Sequence, residues 1–320
     1  MTDLPVTYED VEEAARRIES VVRRTPVMTC GTLNALSGNE LFFKCELFQK
    51  TGAFKFRGAS NAVMQLTEAQ RDAGVVTHSS GNHAQALALA GKMAGVRVVV
   101  VMPENSPTIK VRAVKGYGAE IVFCGNDPQE RERVADEQAK KLGACLIPSF
   151  NHPHIIAGQG TMALELHAQV ENPLDFLIVP VGGGGMLSGC CLATKGVSPN
   201  TRVIAAEPKG ADDAYRSFQA GNLILQTNPQ TIADGLRTSL GPLTWAIIQA
   251  HVEKIITVDE DAIRNAMRLV WERMKLVIEP SAGVGVAVAL SEEFRKMSHG
   301  KRVGVILCGG NIDLDKFEWK

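Results

Sequence analysis

The chain has 320 residues, 45% of them hydrophobic and 22% charged, the make-up of an ordinary globular protein with one large or two modest domains. A formal net charge of -1 argues against nucleic acid or an anionic membrane as partner, and apolar runs such as 98–102 are strand-sized, too short to span a bilayer. Seven cysteines, odd in number, without C-x-x-C spacing and with Cys190 beside Cys191, argue against a disulfide framework or a zinc site and predict a reduced, cytoplasmic protein. The first residues are polar and acidic and lack the apolar core of a secretory signal.

Apolar residues at helical spacing over 8–22 (Val11, Ala14, Ala15, Ile18, Val21, Val22) predict a helix that stops before Pro26. Residues 41–45 predict a short strand leading into a loop. That loop, 48–59, reads F-Q-K-T-G-A-F-K-F-R-G-A and sets Lys55 between Phe54 and Phe56, with Gly52 and Gly58 bracketing the turn. Aromatic neighbours strip water from an ammonium and favour its neutral form, the form that attacks an aldehyde. By itself the stretch also fits a lysine stem lying along an apolar surface.

From residue 74 the rhythm changes. Strands are predicted at 75–77, 97–101, 120–123 and 144–147, with helices at 84–93, 107–115 and 127–141 between them. A second series follows: helix 155–170, strand 176–181, four glycines, helix 186–194, strand 202–206, helices 261–274 and 282–290, and a last strand at 302–308. Alternating helices and nearly continuous apolar strands predict an α/β protein whose parallel sheets are covered on both faces. The block 74–148 is set off as a small domain inserted between 1–73 and 149–320 of a larger one. A ligand is expected between them, at the carboxyl ends of the strands.

Gly182, Gly183, Gly184 and Gly185 stand between a predicted strand and a predicted helix. Without Cβ atoms they can turn N–H groups toward an anion at the helix start. The run has no lysine, so it is no Walker A loop, and it fails G-x-G-x-x-G. Glu207 ends the next strand roughly 20 residues on, where a ribose-binding acid would sit, which keeps a nicotinamide-dependent oxidoreductase open. Ser79-Ser80-Gly81-Asn82-His83 occupies the same position after an earlier strand and suits a carboxylate, though such residues also make plain N-caps. Glu207, Asp213 and the Ala211 carbonyl can ligate a hard cation; an acidic loop in water is the simpler reading. His152 and His154 flank Pro153 in a predicted loop and are assigned no metal.

In this order, the Lys55 segment, S-S-G-N-H, I-A-G-Q-G-T at Ile156, V-G-G-G-G-M-L-S-G, I-A-D-G at Ile232, W-E-R-M-K-L-V-I-E-P-S-A-G at Trp271 and C-G-G-N-I-D at Cys308 form a specific set. The chain resembles, nearly end to end, the fold-type II pyridoxal-phosphate enzymes of the serine/threonine dehydratase group, with a tryptophan synthase β-like fold. The resemblance implies that Lys55 bonds the aldehyde of pyridoxal 5'-phosphate, Phe54 packs by its ring, and Asn82 meets its phenolic oxygen. Gly182, Gly183, Gly184, Gly185 and Met186 would cup the phosphate, and Cys308 would face the pyridine nitrogen, where the group's racemases have serine. Ser79, Ser80, Asn82 and His83 would hold the substrate carboxylate, with Asn151 close by.

The same resemblance implies that Lys55 and Ser80 serve opposite faces of the substrate. The expected reaction is interconversion of L- and D-serine, with accompanying elimination to pyruvate and ammonia. Dehydration of threonine, serine or L-threo-3-hydroxyaspartate without racemisation is the alternative, and the S-F-N-H-P loop (149–153) leans toward it. Glu207, Ala211 and Asp213 fall on the group's magnesium or calcium ligands, which manganese could also use. Lys50, Thr51, Lys110, Tyr117 and Asn311 fall near its ATP-binding positions, while Cys30, Gly31 and Thr32 replace part of a serine-containing stretch there. A homodimer acting on a small amino acid, with no appended regulatory domain, completes the expectation.

Overall fold

The computed structural model describes residues 4–79, 81–106, 108–315, 317 and 319. Its strands are β1 (Val27–Met28), β2 (Glu40–Cys45), β3 (Val75–His78), β4 (Val98–Pro103), β5 (Glu120–Cys124), β6 (Cys145–Leu146), β7 (Phe176–Pro180), β8 (Arg202–Pro208), β9 (Val252–Val258) and β10 (Arg302–Leu307). They make a six-stranded sheet in the order β1-β2-β10-β7-β8-β9 and a four-stranded sheet in the order β5-β4-β3-β6. Every neighbouring pair is parallel except β1 with β2. All of β4 and β7 is buried, as parallel strands covered by helices on both faces must be.

The covering helices are α1 (Tyr8–Ile18), α2 (Gly31–Ser37), α3 (Lys55–Met64), α4 (Glu68–Ala73), α5 (Asn82–Ala94), α6 (Thr108–Gly116), α7 (Pro128–Leu142), α8 (Pro153–Gln169), α9 (Gly185–Val197), α10 (Asp213–Ala220), α11 (Pro242–His251), α12 (Glu260–Leu269), α13 (Pro280–Leu290) and α14 (Glu292–Ser298). Among the described residues no helix is long and apolar enough to cross a membrane. The fold class is the expected one.

Local details differ from the expectation. The first helix ends at Ile18, because the N–H groups of Val21 and Val22 both donate to the Ile18 carbonyl and turn the chain away. The expected helix 261–274 stops at Leu269 and runs on as a π-turn over 270–274, closed by Lys275 at φ 60°. Lys55 is not in a loop; it is the first residue of α3.

α3 is hard to see in the sequence because its polar residues, Arg57, Ser60 and Asn61, are buried along with its apolar ones. On one side Phe56, Ala59, Ala62 and Val63 share a core with Val75, Val98, Val100 and Met102 of the four-stranded sheet. On the other it crosses α8 with the two backbones nearly touching. A Cβ on Gly158 would lie 2.6 Å from the Gly58 Cα, so only glycine permits the crossing. The larger core fills both faces of the six-stranded sheet, with Phe43, Ile178, Ile204, Ile255 and Val305 among its fully buried members.

Candidate active site

The start of α3 is held from three directions. Arg57 is wholly buried and donates to both oxygens of Glu46 (2.8 Å each) and to both oxygens of Glu165 (2.7 and 2.8 Å). Lys44 donates to Glu165 (2.6 Å) and Gln169 (2.7 Å). Two cations thus meet two anions with their hydrogen bonds satisfied, the condition under which buried charge is tolerated. Just before α3, the Phe54 N–H donates to the Cys308 carbonyl (3.0 Å), and Ala53 bridges to Gly309. The helix start is therefore tied to β2, to α8 and to the end of β10.

Lys55 Nζ donates to the Ser149 carbonyl (2.6 Å) and lies over the Phe54 ring, 5.1 Å from its centre. Loss of water brings the amine from its ordinary 10.5 down to about 8, against the opposing pull of Cys308 and Glu279. Its place in the first turn of a helix, at the positive end of the dipole, acts in the same direction as desolvation. Among the described residues nothing anionic is bonded to it, so a sizeable fraction is neutral near pH 8.

The residue after Ser149 packs on the tetraglycine turn. A Cβ on Gly183 would run into the Phe150 ring, and one on Gly185 would stand 3.0 Å from the Phe150 Cα. On the far side, a Cβ on Gly182 would lie 2.8 Å from the Leu236 Cα, and Gly184 adopts φ 87° beneath Leu240 and Thr244. Thr244 donates to the Gly183 carbonyl (2.9 Å) and fixes the turn. The first α9 bond runs from Ser188 N to Gly184 O, leaving the N–H groups of Gly183, Gly184, Gly185, Met186 and Leu187 without an acceptor among the described residues. A helix start packed from behind, with N–H groups unclaimed in front, is an anion cradle. Phosphate fits it.

The N-terminus of α5 has no side-chain cap either, and the N–H groups of Asn82 and His83 have no acceptor among the described residues. Asn82 Nδ2 donates to both oxygens of Glu279 (3.0 and 3.1 Å), and its Oδ1 accepts from Asn311 Nδ2 (2.8 Å). His83 is 2% exposed, with Nε2 3.2 Å from the Ile147 carbonyl and Nδ1 unpartnered. Burial, and then the nearby Lys55 charge, push its pKa down to about 3, so its imidazole stays neutral. Ser79 is half-buried and accepts from Gly81 N (3.3 Å). Ser80 lies outside the described residues. Asn151 Oδ1 accepts from Leu243 N (3.0 Å) and so caps α11. Cys308 directly follows β10 and is fully buried, and burial raises its thiol well above the usual range, so it stays protonated.

Glu207 is 1% exposed, and each oxygen accepts a backbone N–H, from Ala214 and Tyr215 (2.8 Å each). It is held inside the fold by two backbone N–H groups and is not the accessible acid that a ribose-binding site needs, so the oxidoreductase reading loses support. Burial, with Asp213 next in effect, pushes the Glu207 carboxyl well above its ordinary range; burial likewise lifts Asp213 to about 6. Asp213 Oδ2 accepts from Leu240 N (3.0 Å), while Oδ1 is buried without a partner. Two neighbouring buried carboxyls, whose ionised forms a cation would favour, and an orphaned oxygen fit a divalent cation.

The five expected nucleotide residues divide. Asn311 Nδ2 donates to the Thr51 carbonyl (2.7 Å), which joins those two to the Asn82 cluster. Lys110 pairs with Asp234 (2.8 Å), Lys50 lies over the Phe56 ring, and Tyr117 packs against the core of the four-stranded sheet. Glu279, Phe150 and Thr244 are not evident in the sequence, and Ser149 only as part of the 149–153 loop, since each acts through a contact more than thirty residues away.

A desolvated amine and a phosphate cradle, joined through one two-residue segment, are what a phosphorylated aldehyde asks of a protein. Residues 18–309 match the family described as pyridoxal-phosphate dependent enzyme, and the chain belongs to that family. It is 50% identical to the serine racemase of Dictyostelium discoideum over 311 residues, 97% of this chain and 96% of that one. The solved structure of that racemase superposes with a TM-score of 0.93, covering 97% of this chain and 99% of the other. The chain is also 48% identical to the β-hydroxyaspartate dehydratase of Paracoccus denitrificans, over 98% of both chains.

Proposed function

We propose that this enzyme interconverts L- and D-serine and also dehydrates serine to pyruvate and ammonia, with pyridoxal phosphate as cofactor. The observation that carries the reading is the tie between Lys55 and the tetraglycine cradle through Ser149 and Phe150. Gly183, Gly184, Gly185 and Met186 would hold the phosphate with their N–H groups, Phe54 would lie by the ring, and Asn82 would donate to its phenolic oxygen. When bound, pyridoxal phosphate supplies the electron sink that makes the substrate Cα–H acidic.

The protein's own groups do the rest. Lys55, part neutral near pH 8, takes or returns the Cα proton on its face. Ser80, by the resemblance to racemases, serves the opposite face. The unclaimed N–H groups of Asn82 and His83 receive the substrate carboxylate, with Ser79 and the neutral His83 beside them. A protonated Cys308 is a weak donor and would give a bound cofactor's pyridine nitrogen no full charge, a condition that would let loss of the β-hydroxyl compete with reprotonation. Glu207, Asp213 and the Ala211 carbonyl are proposed to take magnesium, supported by the unpartnered Asp213 oxygen. ATP as activator, a homodimer and residence in the cytoplasm rest on the resemblance.

The 48% identity to a β-hydroxyaspartate dehydratase supports a second reading, elimination from L-threo-3-hydroxyaspartate without racemisation. The test incubates cofactor-loaded enzyme with magnesium and L-serine, L-threonine or L-threo-3-hydroxyaspartate, followed by chiral chromatography and a keto-acid assay. D-serine together with pyruvate is expected. Keto acid from hydroxyaspartate alone, with no D-isomer, would replace the first reading with the second.

A further inference from the structure

Glu279 is a buried carboxyl to which none of these roles has been given. It is 3% exposed, directly before Pro280 at the start of α13. Its Oε1 and Oε2 accept from Asn82 Nδ2, and Oε2 also accepts from Asn311 N (3.1 Å). Its own N–H donates to the Gly309 carbonyl (3.1 Å), and a Cβ on Gly309 would stand 2.7 Å from Oε1. Space for the carboxylate is thus left by a missing side chain beside Cys308. Asn311 closes the ring by donating Nδ2 to Asn82 Oδ1.

This ring fixes which way the Asn82 amide points. Its oxygen is committed to a donor, Asn311 Nδ2, and its nitrogen to an acceptor, Glu279. The flipped amide would set oxygen against carboxylate and N–H against N–H, an arrangement that leaves Oε1 of the buried Glu279 without a donor. Both oxygens of the one carboxylate lie within 3.1 Å of Asn82 Nδ2, so a single N–H shared between them can satisfy the contact and free the second.

We infer that Glu279 is a positioning residue: it locks the Asn82 amide so that its second N–H is presented to the cofactor's phenolic oxygen. The inference rests on the function proposed above. Burial, and then the neighbouring Asp234, lift the Glu279 carboxyl to about 7, while Asn82, Asn311 N and Lys110 favour its ionised form. The charged and titratable groups facing it are Asp234 with its partner Lys110, the Lys55 amine and the Cys308 thiol.

Glu279→Gln tests this, because its amide nitrogen puts a donor against Asn82 or Asn311. The readout is the visible band of bound cofactor, followed against pH in holoenzyme whose folding is checked by thermal melting. E279Q is expected to move the midpoint of that band by about one pH unit or more. It should also lower kcat at least about tenfold with KM changed less than about threefold. In an N82S background the same substitution should have almost no further effect, the signature of action through Asn82. An unmoved midpoint in folded E279Q, or effects of the two substitutions that simply add, would overturn the inference. N82S alone, which leaves Glu279 in place, should also move the midpoint; a midpoint equal to the wild type's contradicts the inference even if E279Q does not fold. A wild-type protein with no visible band at all would instead sink the proposed function.

Discussion

At the scale of single residues, burial decides the chemistry. Lys55, His83, Glu279 and Cys308 all lie in one dry region, and each is pushed toward its neutral form. For Glu279 the folded-state pKa, about 7, lies above its ordinary 4.5. Its contribution to stability is therefore fully present below the ordinary value and is lost as pH rises through the folded one. Cofactor-free wild type should thus lose stability between about pH 4.5 and 7 relative to E279Q, which has no such proton to lose. Denaturant melts across that range would check it, and parallel pH profiles for the two proteins would contradict it. The lysine was legible in the sequence because two aromatics flank it. Glu279 was not, because its partners come from 82, 309 and 311, far along the chain.

At the scale of elements, close approach and buried charge hold α3, and through it Lys55. Gly158→Ala should push α3 off α8 and cost about 1–3 kcal/mol of stability, the usual range for overpacking. Because Lys55 starts that helix, activity at a temperature where the variant is folded should fall as well. Unchanged unfolding free energy would contradict the crossing described here. Arg57→Ala should be more severe, about 3–5 kcal/mol, since it leaves Glu46 buried without its cation and Glu165 with Lys44 alone. Chemical denaturation measures both. The helix itself escaped the sequence reading: K-F-R-G-A-S-N-A-V-M is buried all round, carries a glycine, a serine and an asparagine, and has no amphipathic stripe to reveal it. The strands β4 and β7 were plain, because parallel strands under helices on both faces are apolar without interruption, and β3 and β10 carry shorter runs of the same kind.

Across the whole molecule, the proposed reaction depends on groups drawn to the carboxyl ends of neighbouring strands. The tetraglycine follows β7 and Cys308 follows β10, and those two strands pair. Glu207 ends β8 on the other side of β7, next to the cradle's strand. Magnesium should therefore raise the melting temperature of the holoenzyme, and Asp213→Asn should abolish most of that rise. A cation response that survives D213N would move the metal elsewhere. The sequence showed the order of these segments and the resemblance gave them roles. It did not show that Ser149 and Phe150 connect the amine to the cradle, because such a link exists only once the chain is folded.

The most direct measurement of the two-base reaction is serine turnover in deuterium oxide, with each enantiomer separated early and its Cα hydrogen read by mass spectrometry. D-serine formed from L-serine should carry deuterium at Cα while the remaining L-serine keeps its hydrogen, and Ser80→Ala should remove the D-serine but leave the cofactor bound. Pyruvate alone, or D-serine that retains the original hydrogen, would contradict proton transfer at opposite faces by Lys55 and Ser80.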